Sequence, residues 1–237
     1  MPSQALLALA DRLSEVRLLT TRDPIRQKPL VRDRARQRER VRLANAVNRA
    51  SIVLLTSHLE GFIEDLMLES LDYLVNSGCQ VEALPDLLRS LHAEQHLKVI
   101  EAIQDRKARA PRIAKMIQTE QYLWRDGEVL AAPMLRGELV VAEMSNPGSR
   151  EIARFLELIG VADLESACAS QQADLGAING LVQRRNSVAH GEPEATCTAT
   201  DIDTYLRLVE QIGAVIDAAV AHSIKSMTGS TSFPWAL

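Results

Sequence analysis

The chain has 237 residues, of which 46% are apolar, 24% charged and 3% aromatic, with 11 Gly and 9 Pro. The apolar share excludes wholesale disorder, the length supports a sizeable core, and the few aromatic and turn residues point to helices rather than strands. The net charge of −4 is unevenly spread, because residues 1–50 hold 12 Lys+Arg against 5 Asp+Glu and the remainder is acidic.

Arginine outnumbers lysine 22 to 5. Arginine forks onto phosphate and carboxylate, so the bias fits anion recognition, and it fits a GC-rich genome equally well. Cys79, Cys168 and Cys197 are odd in number, widely spaced and free of any CxxC pair. That argues against a disulfide framework or a thiolate zinc site and suits a reducing cytoplasm. The apolar run at residues 5–10 is closed at once by Asp11 and Arg12, too soon for a signal segment. No run approaches the ~18 apolar residues of a membrane span, so no membrane partner is expected.

Leu6, Leu9, Leu13 and Val16 recur at helical spacing and predict a first helix over residues 3–19. A loop is expected at 23–29, where Asp23-Pro24 and Lys28-Pro29 fall. Arg32, Arg34, Arg36, Arg38, Arg40 and Arg42 then occupy every second position. A two-residue step turns about 200° on a helix, so a helix here would be charged all round, solvated or touching a polyanion. From Leu43 to Val75 the chain reads as one central helix, apolar on several faces: Leu55, Leu59, Phe62 and Leu66 on one, Val53, Ile63, Met67 and Leu71 on others. Ser57 and Gly61 are small enough to let a neighbouring helix approach, and 76–78 supplies the stop.

Residues 84–124 read as helical pieces broken near Pro111, and 125–148 as an irregular insert in which 138–144 is either strand or helical turn. Ser149 is a candidate N-cap for a short helix ended by Gly160, and Asp163 for another. A long helix is expected over 170–189, closed by Gly191 and Pro193. Thr200-x-x-Asp203 resembles a capping box opening a last helix through Ile202, Leu206, Val209, Ile212, Ile216 and Val220. Residues 1–227 are therefore expected to form a single all-α domain, with 228–237 a mobile tail.

One helix breaks its own pattern. Leu175, Ile178 and Val182 form its apolar stripe. With Val182 at 0°, Arg185 falls near about −60°, Asn186 near about +40° and His190 near about +80°. A guanidinium, an amide and an imidazole thus gather where the core face should continue. Buried without partners, each would cost about 1–3 kcal/mol. They form either a paired network, with Arg185 on an acid and His190 capping the helix, or the wall of a cleft.

The segment Arg185-Asn-Ser-Val-Ala-His190-Gly resembles the Arg-x(4–6)-His signature of the HEPN superfamily, in its bacterial MAE-type or RiboL-PSP-like branch. Residues 53–66, 145–160 and 181–191 carry the similarity, which spans roughly 43–225. The resemblance implies an antiparallel helical bundle that dimerises with its motifs facing each other. It also implies, for many members, a metal-independent endoribonuclease that needs no cofactor. His190 would then move the proton of the ribose 2′-OH or of the 5′-oxygen, Arg185 would stabilise phosphate charge, and Asn186 would orient either. The products would be a 2′,3′-cyclic phosphate and a 5′-OH.

RNA is the implied partner, with Arg184 and the six-arginine run as candidate phosphate contacts; an antitoxin or regulatory protein is another possible partner, as for a toxin or defence effector. Alternatives are a non-catalytic helical adaptor or RNA-binding and dimerisation module, and an acid-binding module built on the arginine run. No aromatic interleaves that run, so base stacking is not expected there. His92-Ala-Glu-Gln-His96 has two histidines at i, i+4 but not the zincin order, and reads as a solvated helix face. His58 reads as a satisfied core histidine, and Glu60, Glu64 and Asp65 as acids that could hold Arg185 or lie on the surface.

Overall fold

The computed structural model describes residues 1–21, 33–132, 134–192, 196–232 and 234–235, with the side chain of Gln95 left aside. The loop at 23–29, Arg32, Pro133, Pro193 and Phe233 lie outside the described residues. The fold is all-α. In chain order it comprises α1 (Gln4–Thr21), α2 (Arg34–Asn76), α3 (Asp86–Ala102), α4 (Arg106–Glu120) and α5 (Gly137–Val141). Then follow α6 (Ser149–Glu157), α7 (Leu164–Ser170), α8 (Ile178–Ala189) and α9 (Ala199–Thr228).

The 43-residue α2 is the axis of the bundle and absorbs the arginine run that the sequence separates from it. Asp33 starts it by accepting from the Ala35 N–H, so the arginines continue an already capped helix. Leu55, Leu59, Phe62, Ile63, Leu66 and Met67 are fully buried, which accounts for the apolar residues on several faces. Val53 departs from that pattern and is exposed. α1, α8 and α9 pack around α2. Gly61 admits α1, since a Cβ there would lie 3.2 Å from the Arg12 guanidinium. The first buried residue of α2 is Ala44. Residues 34–43 therefore stand clear of the core as a spur about 15 Å long at 1.5 Å per residue.

Pro111 does not break the chain. It sits inside α4, and the break comes at 103–105, where Asp105 accepts from the Lys107 and Ala108 N–H groups. In the insert, 79–81 pairs with 128–130 through Leu130 N–H to Cys79 O and Val81 N–H to Glu128 O, both 2.9 Å, and 137–141 is the helical turn α5. The helix expected over 170–189 is split. Gln172 has φ +56° and Asp174 caps a turn at Leu175–Ala177, so α8 starts only at Ile178. The N-cap of α6 is Gly148, with Ser149 one position inside, and the capping box of α9 is Thr198/Asp201, one Thr-x-x-Asp earlier than Thr200/Asp203. Asp163 caps α7 as expected. Trp235 is buried edge-on to Tyr73, with ring centroids 6.1 Å apart.

Candidate active site

α8 ends in a tight closure that fixes the backbone of His190. The Gly191 N–H donates to Val188 O and the Glu192 N–H to Ser187 O, both at 3.1 Å, while Gly191 takes φ +72°. This is the Schellman arrangement, with glycine at the left-handed position. His190 is the helical residue just before that reversal and its ring is exposed.

The closure is also clamped from outside its own helix, by a residue that sequence reasoning missed. Arg49 of α2 donates from Nη2 to Val188 O at 3.2 Å and from Nη1 to Glu192 O at 3.3 Å. A cation at a helix C-terminus is favoured by the carbonyl dipoles. The imidazole of His190 is thus not needed as the cap. Arg49 could have been suspected only as the arginine that follows the regular run after a gap of six residues.

Arg185 and Asn186 are half-buried one turn earlier. Arg185 Nη2 donates to the side-chain oxygen of Asn146 at 3.3 Å. Asn146 belongs to the 142–148 loop and adopts φ +57°. The first residue of α6, just after this loop, is pinned to α8 as well, where the Asn179 side-chain oxygen accepts from the Ser149 N–H at 2.9 Å and its amide donates to Ser149 Oγ at 2.8 Å. The 145–160 and 181–191 segments, far apart in sequence, therefore meet here. Among the described residues neither the His190 ring nor the Asn186 side chain has a hydrogen-bond partner, and Arg185 has no carboxylate.

Arg184 is half-buried and tied to the segment that leads into α9. Its Nη1 donates to Thr196 O at 2.6 Å, and its bond with Tyr205 raises its pKa further. It staples the start of α9 to α8 beside the Asn48 amide, which donates to Cys197 O at 2.8 Å. Arg34, Arg36, Arg38 and Arg42 are exposed on the spur of α2, seven or more residues before Arg49, so they extend from the His190 end of the bundle. Arg40 is half-buried there. Arg36 reaches Asp33 at 3.7 Å, and Arg38 Nε donates to Arg34 O.

Other readings are corrected. Asp65 pairs with Arg12 at 2.7 Å rather than with Arg185. Burial, then the nearby Glu60 and Asp65 charges, push the Glu64 carboxyl up. His58 is half-buried, but its Nε2 is unsatisfied among the described residues, and desolvation lowers its pKa. His92 is fully buried rather than solvated. Its Nδ1 meets Leu88 O at 2.9 Å and its Nε2 accepts from the Arg136 N–H at 2.9 Å, so neither nitrogen is left for a metal. His96 lies 3.2 Å and Arg136 3.0 Å from Glu120, which ties α3, α4 and the approach to α5 together. Among the described residues no group of three metal-ligating side chains gathers, and no helix is long and apolar enough to cross a membrane. A groove of about 730 Å³ between α7 and α9, lined by Gly160, Asp163, His222, Ser223 and Met227, includes none of Arg185, Asn186 or His190.

Residues 8–222 match the RiboL-PSP-HEPN family. The chain belongs to that family. No curated protein and no solved structure matches it. Membership fits the all-α bundle and places the protein among HEPN domains, which are generally RNA-related and often dimeric.

Proposed function

We propose that this HEPN protein is a metal-independent endoribonuclease whose catalytic residues are Arg185, Asn186 and His190. The supporting observation is that none of the three is used up internally. Among the described residues the His190 ring and the Asn186 amide are unpartnered, and Arg185 makes one long bond to a neutral side chain. A purely structural Arg–His pair would be expected on an acid and on the helix cap, and Arg49 holds the cap instead.

In the proposed reaction His190 removes the 2′-OH proton. The 2′-oxygen bonds to phosphorus, the P–O5′ bond breaks, and the leaving oxygen takes a proton from an imidazolium. A homodimer with facing motifs supplies two imidazoles, one for each proton. Arg185 neutralises charge growing on the non-bridging oxygens, and Asn186 orients them. Arg34, Arg36, Arg38, Arg40 and Arg42 would contact backbone phosphates, with Arg32 and Arg184 as the further candidates. On this reading the protein acts in the cytoplasm, as a toxin or defence effector restrained by a regulatory protein.

The test is single-stranded RNA incubated with purified dimer in EDTA. Cleavage to cyclic-phosphate ends is expected, and His190→Ala and Arg185→Ala should each abolish it with helicity intact. Cleavage that EDTA stops, or that survives His190→Ala, refutes the mechanism. If RNA is never cut and Arg185→Ala weakens dimerisation, the protein is an adaptor.

A further inference from the structure

α4 is a helix most of whose charge has no internal use. Between residues 106 and 119 it carries five cations and no acid, on a chain whose net charge is −4. It rests on α3 and on the turn at Gln121–Trp124, and only Glu120 is buried along its length. The less exposed positions are Arg109, Met116 and Glu120. At 100° per residue they fall within about 40° of one another and mark the packed side. Lys107, Lys115 and Arg112 are exposed and share an arc of about 140° on the remainder of the helix. Among the described residues these three have no ion-pair partner. Arg109 is different: its guanidinium donates to Ile103 O and closes the α3–α4 bend.

The orientation of this hairpin follows from contacts. Pro85, just before α3, lies against Gly160, which also faces Ser223 late in α9. Glu94, midway along α3, lines a cavity with Glu143, three residues from the Arg185 partner Asn146. α3 therefore runs from the end where α9 finishes toward the end where α8 finishes, and carries the start of α4 with it.

We propose that the outer face of α4, built from Lys107, Arg112 and Lys115, is a second surface that tracks the phosphates of RNA; this rests on the reading that the protein handles RNA. The chemistry of the arc favours a nucleic-acid backbone over an acidic protein. Its other members are Ala108, Pro111, Gln118 and Thr119, and the apolar Ile113 and Ile117 lie outside it. A protein helix docking here would find no apolar anchor, whereas phosphates need none. Lys107 and Lys115 stand about 12 Å apart along the axis, so the face follows a strand rather than a single phosphate. Because backbone charge is what it reads, it recognises no sequence.

The experiment uses the full chain with His190→Ala, so that RNA stays intact. A fluorescein-labelled single-stranded RNA of about 24 nucleotides is titrated at several KCl concentrations, and anisotropy gives Kd and its salt slope. Each phosphate contact on a single strand contributes about 0.7 to that slope. Lys107→Ala/Arg112→Ala/Lys115→Ala should lower the slope by about 2 and weaken binding at least about tenfold, with unchanged circular dichroism. Lys107→Gln/Lys115→Gln provides a milder variant and should lower the slope by more than about 1. Equal Kd and slope in parent and variants overturn the α4 surface alone. A parent that binds no RNA overturns both this surface and the ribonuclease reading. Displacement of RNA from the parent by a poly-glutamate peptide, at concentrations where the triple variant retains its RNA, would reassign the face to an acidic protein partner.

Discussion

Arg49→Ala tests whether the His190 turn is held from outside its own helix. The substitution deletes two charged donors, at 3.2 Å to Val188 O and 3.3 Å to Glu192 O. A hydrogen bond from a charged group is worth about 1.5–3 kcal/mol when short and sheltered. These two are long and Arg49 is only half-buried, so less than 1 kcal/mol each is reasonable, plus a few tenths for losing a cation at a helix C-terminus. A total of about 1.5 kcal/mol corresponds to a tenfold larger opening equilibrium for the turn. Hydrogen exchange reads it directly, because the Gly191 and Glu192 amides donate within that turn. Their exchange should accelerate about tenfold while amides around Phe62 keep their protection relative to global stability. Arg49→Lys, a point charge that cannot fork onto two carbonyls, should fall between the two. On the proposed ribonuclease reading kcat should drop with little change in KM, since misplacing a catalytic group by about 1 Å can cost up to a hundredfold. Unchanged exchange at Gly191 and Glu192 in Arg49→Ala would refute the clamp.

Two further predictions concern the scaffold. His92→Leu removes the acceptor of the Arg136 N–H and should cost about 1–3 kcal/mol, lowering Tm by several degrees in a thermal melt; an unchanged Tm would mean water or rearrangement satisfies that group. Asp217 sits beside the Ser3 N–H at 3.3 Å, and burial raises its pKa despite that bond. Its folded state therefore holds the proton more tightly than the unfolded chain, so its contribution is present below about pH 4 and is lost as pH rises through the folded pKa. Asp217→Asn should gain stability over the parent at neutral pH, and the gap should close in acid; a constant gap across denaturation curves at different pH would contradict this.

How much was legible in the sequence depended on whether a signal was local. Periodicity located the buried stripe of α2, and the Arg-x(4)-His spacing located the end of α8. Helix boundaries were harder where two equivalent caps competed, as at Thr198 and Thr200, or where a short polar segment such as 171–174 could continue or break a helix. The corrections concern groups whose environment is set by distant chain. His92 reads as solvated on its own helix, and only the return of the chain at Arg136 buries it. Arg185 reads as needing an acid, and its partner proves to be a neutral asparagine on a loop 39 residues earlier. Arg49 carries no local mark of its role, because the carbonyls it holds lie about 140 residues further on.

The position of the motif at a helix C-terminus sets an electrostatic problem that its neighbours address. The last carbonyls of a helix carry roughly half a negative charge, which would repel the phosphate that the proposed reaction brings to His190. Arg49 places its guanidinium on two of the oxygens at that end, and Arg185 stands one turn back with donors to spare. The exposed spur of α2 adds cations on the same side. These cations are set against the exposed Glu192 two residues past the histidine, whose charge they must outweigh for a phosphate to approach. Removing Arg49 should therefore weaken RNA binding less than it slows cleavage, because the spur supplies attraction at a distance while Arg49 acts at the turn itself. Equal losses in both would instead make Arg49 one more phosphate contact.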